Sequence, residues 1–235
     1  MNCQYGLVGA ACAGLVALFG AGLYFTFMTF HPDPDRYPVR GIDVSHHQGA
    51  IDWRQVAGAG IDFAYMKATE GGDFSDRRFA ENWQAAKDAG VRRGAYHFFT
   101  FCRPGADQAA HFIATVPRDP DALPPAVDLE FGGNCPEASG RLDVEKELPA
   151  FLERVEAHYG RKALLYATPE YYKAHMAGTE IANPLWLRSL VFEPDYNHHP
   201  WTVWQYHNRG TVAGIAGPVD RNVFAGSVES FEAGW

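Results

Sequence analysis

The amino-acid sequence predicts an α/β chain: an irregular TIM-like (β/α) barrel preceded by an N-terminal transmembrane helix. Short apolar runs alternate with helix-like segments from residue 39 to residue 175, residues 6–30 carry no charge, and a proline-rich polar stretch joins the two parts. Such alternation implies parallel strands covered by helices. Five or more units favour a closed barrel over a doubly wound sheet, and no dinucleotide-type glycine fingerprint follows the first strand. The chain has 235 residues, 47% hydrophobic and 20% charged, which suits a globular domain of this type.

Strands are expected over residues 39–44, 63–68, 91–101, 126–130 and 163–167. Helices are expected over residues 53–59, 76–89, 105–115, 143–159 and 170–175. The plainest is 143–159, where Leu148, Phe151, Leu152 and Val155 recur at helical spacing. Residues 185–187, 202–205 and 217–223 supply further short strands, and the loss of helices there makes the barrel irregular.

The uncharged run over residues 6–30 is 25 residues long, enough to cross the ~30 Å hydrocarbon layer as a tilted helix. A cleaved signal peptide would carry a basic start and a shorter apolar stretch ending in small residues. Here no Lys or Arg precedes the run, and it closes on Phe-Thr-Phe-Met-Thr-Phe. A lipoprotein reading through Cys12 is weaker, because Gly-Ala-Ala-Cys lacks a Leu three positions before the cysteine. The expected organisation is a membrane anchor over residues 1–30, a linker over 31–38 and a folded domain over 39–235.

A net charge of −8 argues against a nucleic-acid partner, which needs a basic face. Aromatics reach 14%, with 6 Trp and 11 Tyr, fitting either a rich core or a cleft that stacks flat rings such as sugars. Trp53, Trp83 and Trp201 read as packing. His46-His47 and His198-His199 invite a metal reading, but neighbours on a strand point to opposite faces, so no metal site is assigned. No Gly-x-Ser-x-Gly elbow occurs, and neither Cys102 nor Cys135 has the local context of a catalytic nucleophile.

The acids carry the strongest signal. Asp43 ends the first strand, Glu70 follows the second, Asp128 and Glu130 end the fourth, and Asp220 lies in the last candidate strand. In a parallel barrel the C-terminal strand ends gather at one face, where active sites form. Asp128 and Glu130 are two apart, so both side chains point to the same side. Clustered carboxylates raise one another's pKa and can hold one protonated near neutrality as a general acid. Glu130, flanked by Leu129 and Phe131, is the candidate acid; Asp128, Asp43 and Asp220 are expected to stay ionised and support positive charge developing on a sugar. A lone strand-end Asp more often caps a helix or pairs with a base, and carboxylates at strand ends also hold Mg²⁺. A run of acids favours chemistry.

These residues fall within recognisable motifs. They are Gly-Ile-Asp-Val-Ser-His-His-Gln-Gly at 41–49, Ile-Asp-Trp at 51–53, Phe-Ala-Tyr-Met-Lys-Ala-Thr-Glu-Gly at 63–71 and Gly-Ala-Tyr-His-Phe-Phe at 94–99. Val-Asp-Leu-Glu at 127–130, Pro-Leu-Trp-Leu at 184–187, Trp-Gln-Tyr at 204–206 and Gly-Ile-Ala-Gly-Pro-Val-Asp-Arg-Asn-Val-Phe at 214–224 complete the set. In order and spacing, residues 40–235 resemble the glycoside hydrolase family 25 lysozymes, the Chalaropsis-type N-acetylmuramidases.

The resemblance implies a β/α-barrel-like fold and cofactor-free hydrolysis of the β-1,4 bond between N-acetylmuramic acid and N-acetylglucosamine. It implies an acidic site of Asp43, Asp128, Glu130 and Asp220, with Glu130 as proton donor and Asp128 orienting or stabilising an intermediate. It also implies a sugar groove lined by Tyr96, Tyr166, Trp186 and Gln205, and further by Tyr65, Lys67, Glu70 and Tyr206. Arg188 stands where the family more often has a small residue, and His207-Asn208 replace a commoner small polar pair. Alternative readings are a glycan-binding or scaffold protein without turnover, or another N-acetylhexosaminidase. The implied partner is peptidoglycan, so the domain is expected outside the cytoplasmic membrane, facing the periplasm or cell exterior. There Cys102 and Cys135, each just beyond an apolar run, are expected to form a disulfide.

Overall fold

The computed structural model describes residues 20–22, 24–133, 135, 140 and 142–234. The chain divides into two units, Met1–His31 and Pro32–Trp235. In the first, residues 20–22 and 24–29 are helical. Among the described residues no helix is long and apolar enough to cross a membrane. Most of the anchor expected over residues 1–30 lies outside the described residues.

The second unit follows the expected order. Its strands are β1 (Arg40–Val44), β2 (Phe63–Glu70), β3 (Phe74–Ser75), β4 (Arg92–Phe98), β5 (Ala126–Leu129), β6 (Leu164–Ala167), β7 (Leu185–Arg188), β8 (Val203–Gly210) and β9 (Val219–Phe224). The helices are α1 (Trp53–Gly58), α2 (Phe79–Asp88), α3 (Gly105–Thr115), α4 (Val144–Tyr159), α5 (Pro169–Tyr171), continued as one wider turn over Tyr172–Met176, and α6 (Val228–Glu232). The sheet runs β1-β9-β8-β7-β6-β5-β4-β2-β3 with β1 also paired to β2. Setting aside β3, a short flap on β2, eight strands close into a ring.

Pairing is parallel from β1 through β2, β4, β5, β6 and β7 to β8. The last strand departs from the expected parallel order: β9 runs antiparallel to both β8 and β1. The cause is the connection. Only residues 211–218 separate β8 from β9, whereas a parallel return needs a crossover of roughly a dozen residues or more.

Alternation along the strands divides the apolar residues into two cores. Ile42, Val44, Met66, Val127, Leu165 and Leu187 face outward and pack against Trp53, Val56, Phe79, Phe112, Phe151 and Val155 of the helices. Val39, Phe63, Tyr65, Leu164, Tyr166, Trp186, Val203 and Phe224 face inward and fill the barrel, which Phe231 of α6 joins. Tyr37, within the stretch read as a linker, is buried with its ring 5.8 Å from those of Trp201 and Trp204.

Filling the interior with rings requires small neighbours. A Cβ on Gly94 would stand 2.2 Å from Cε1 of Tyr65. That ring has nowhere to go: its hydroxyl donates to Pro124 O at 3.1 Å, and Trp186 lies against it at 5.1 Å. The expected Cys102–Cys135 disulfide is present, with Cα atoms 5.7 Å apart, and it ties the loop after β4 to the loop after β5. Gly94→Ala should therefore lower stability by about 1–3 kcal/mol through overpacking, read as a lower urea midpoint. Gly58→Ala in α1, where an added Cβ meets nothing within 4 Å, is the control. Equal midpoints for the two variants would contradict this packing.

Candidate active site

Side chains two apart on a strand share a face, so each inward column ends in a polar residue at one mouth of the barrel. On β5, Ala126 lies in the core and Asp128 above it; on β7, Trp186 is followed by Arg188; on β8, Val203 by Gln205. Because β9 is reversed, its column runs Phe224, Asn222, Asp220 toward the same mouth. Asp220 thereby lies directly across from Asp43 in the β1–β9 register. Parallel pairing would have sent these two acids to opposite ends.

A cavity of about 380 Å³ opens at this mouth, with walls that include Asp43, Asp128, Glu130 and Asp220. Tyr96, Tyr166, Trp186 and Gln205, expected to line a sugar groove, line it too. Trp186 is buried and forms the floor: its Nε1 donates to Asn222 Oδ1 at 2.8 Å, and its ring meets that of Tyr166 edge-on at 4.9 Å.

The acids are held unequally. Asp43 Oδ2 accepts from Asn222 Nδ2 at 2.8 Å and Gln205 Nε2 at 2.9 Å, and Gln205 Oε1 in turn accepts from the Tyr166 hydroxyl at 2.9 Å. Asp43 is also hydrogen-bonded to Asp220. Burial raises the Asp43 pKa, against the lowering effect of those three partners. Burial, with the Asp43 charge next, pushes Asp220 up to about 9. Of the two, Asp220 is the one whose neutral form is favoured, hydrogen-bonded to Asp43. This corrects the expectation that Asp220 stays ionised, and the cause is the cross-strand contact itself: two facing carboxyls cannot both ionise there.

Asp128, also expected to stay ionised, is instead raised well above the ordinary range by burial and by Glu130 and Asp43, and its Oδ1 is buried without a hydrogen-bond partner. Glu130, half-buried just past β5, is raised by burial, while Arg188 and Lys67 pull it back. The cluster thus combines carboxyls whose burial favours the protonated form with one, Asp43, in which three hydrogen-bond donors oppose that effect.

Not every expected residue reaches the cavity. Tyr65 lies a layer deeper, below Trp186, because it pairs with Gly94 near the middle of β4. Tyr206 is buried, its ring centre 5.9 Å from that of Trp204 and beneath the Arg221 guanidinium at 5.6 Å, and is not part of the cavity wall. Glu70 touches the site through Lys67, whose Nζ donates to Glu70 Oε2 at 2.6 Å. The register of β2 slips between Lys67 and Thr69, and this bulge turns residues three apart toward the same side.

Several lining residues were missed or left peripheral: Phe98, Ser45, His47, Gln48 and Asn208, with Asn222 one step behind Asp43. The i, i+2 rule would have found Phe98 from Tyr96 and Asn222 from Asp220. His47 and Gln48 belong to a 3₁₀ turn capped by Ser45, and Gln48 Nε2 reaches Pro218 O at 3.2 Å, binding that turn to the approach to β9. Among the described residues no group of three His, Cys, Asp or Glu could hold a metal ion.

The family model for "Glycosyl hydrolases family 25" matches residues 42–215, a span that includes Asp43, Asp128 and Glu130 and stops short of Asp220. Among solved structures, a family 25 glycosyl hydrolase from Bacillus anthracis is similar at 42% identity and TM-score 0.79, covering 87% of this chain and 97% of its own. The bacterial lysozyme from Streptomyces coelicolor is similar at 35% identity and TM-score 0.72, covering 83% and 95%. Lysozyme M1 from Streptomyces globisporus is 36% identical over 82% of this chain and 70% of its own length. With that family match over most of the chain, and the same fold at these identities, this chain belongs to glycosyl hydrolase family 25.

Proposed function

We propose that the chain is a peptidoglycan hydrolase of the muramidase type, cleaving the β-1,4 bond between N-acetylmuramic acid and N-acetylglucosamine. The observation that carries this reading is the meeting of Asp43, Asp128, Glu130 and Asp220 at one cavity floored by Trp186. Lysozymes among the similar proteins support the substrate class.

In this reading Glu130 is the general acid. It is half-buried at the rim, and burial raises its pKa so that it can keep a proton for the departing glycosidic oxygen. As that bond breaks, positive charge builds at the anomeric carbon. Asp128, packed beside Glu130, orients or stabilises what forms there. Asp43 supplies fixed negative charge, held by Gln205, Asn222 and the Asp220 proton. Tyr166, whose phenol burial and neighbouring anions keep protonated, remains a donor to Gln205 and so holds that frame in place.

We also infer that the uncharged residues 6–30 anchor the chain in the cytoplasmic membrane with the barrel outside, where peptidoglycan lies.

Two experiments test these assignments. Wild type should clear peptidoglycan in a zymogram and release fragments ending in N-acetylmuramic acid at the new reducing end. Glu130→Gln should lose about 10²–10⁴-fold of that activity while still sedimenting with insoluble peptidoglycan. Wild type that binds without lysis would favour a scaffold, and N-acetylglucosamine at the new end would favour another N-acetylhexosaminidase. Separately, a C-terminal reporter active only outside the cytoplasm should report on the full-length chain; activity of a reporter that works only in the cytoplasm would reject the orientation.

A further inference from the structure

We propose that Arg188 is a specificity-determining residue that binds a carboxylate carried by the glycan substrate beside the scissile bond. This inference rests on the muramidase reading and extends it to the substituent on the sugar.

The cavity wall carries four acids and two permanent cations, Lys67 and Arg188. Lys67 is committed elsewhere. Its Nζ lies 2.6 Å from Glu70 Oε2, 4.7 Å from the Phe98 ring centre and 5.6 Å from that of Phe74, and only 11% of its side chain is exposed. Such an enclosed pair does not open to a ligand without drawing Lys67 away from a buried carboxylate.

Arg188 is placed differently. It is the last residue of β7, two beyond the Trp186 floor and in register with Gln205 of β8, so its side chain rises at the mouth. Tyr196 fixes its backbone by donating to Arg188 O at 3.0 Å. The guanidinium meets Glu170 Oε2 at 3.2 Å, and Glu170 is 66% exposed. Exposed ion pairs of this kind are weak and exchange readily. A guanidinium offers five donors in a planar fork that matches a carboxylate. An anionic group approaching four acids needs such a cation at the entrance.

The carboxylate has two chemical sources on this polymer: the lactyl acid of a peptide-free muramic residue, or an acid of the attached peptide. Soluble glycan oligomers distinguish them when prepared peptide-free, peptide-bearing, and each with its carboxyls capped as methylamides. Wild type should cleave at least one free-acid form about tenfold or more faster in kcat/KM than its capped counterpart, with the difference in KM. The form that shows the preference identifies the source. Arg188→Met should cleave free and capped forms alike, and Arg188→Lys should keep part of the preference; cleavage of capped oligomers by either variant establishes that it is folded. Wild type that cleaves all forms without preference, or Arg188→Met that keeps the preference, would overturn the assignment of Arg188 alone. Wild type that cleaves none would overturn the hydrolase reading and this one with it.

Discussion

Strand β9 runs against both of its neighbours, and this reversal ties closure of the barrel to the chemistry at its mouth. A parallel final strand would have carried Asp220 away from Asp43. Running the other way, it sets the two carboxyls face to face across the β1–β9 pair. It also brings Asn222 beneath them, where one amide links the Trp186 indole to Asp43. The hydrogen bonds that complete the ring therefore also assemble the polar frame.

Burial gives that frame its character. A carboxyl taken out of water favours its neutral form, and nearby anions reinforce the effect. Asp128, Asp220 and Glu130 all shift upward for these reasons. Asp43 feels the same burial but is opposed by three hydrogen bonds. For a carboxyl whose folded pKa is raised, the associated stability is present below its unfolded value and is lost as pH rises through the folded value. For Asp220 that window runs from ~3.9 up to about 9. Neutral and alkaline conditions thus strain the fold at the place where the acids are needed, a tension common at active sites.

Much of this was legible in the residues. Alternating apolar runs located the strands and most of the helices, because their periods differ. Asp128 and Glu130 were readable as a pair because two-residue spacing on a strand is unambiguous. What could not be read was direction and depth. The direction of β9 depends on the length of its connection, which is short because β8 runs on to Gly210, well past the 202–205 expected from the residues. Tyr65 and Tyr206 carry the right chemistry, but one lies a layer too deep and the other faces outward, and position along a strand does not reveal the layer. The Lys67–Glu70 pair depends on a bulge in β2 that no spacing rule announces. The charge state of Asp220 required knowing which acid it faces.

The shared proton between Asp43 and Asp220 is the most direct point of attack. Carboxyl carbon NMR with ¹³C-labelled aspartate follows each side chain through a pH titration, and Asp220→Asn assigns the resonance. Asp220 should be protonated at pH 7 and titrate near 9. An Asp220 signal that titrates near ~4, as an ordinary aspartate does, would contradict the buried, face-to-face pairing on which the site is built.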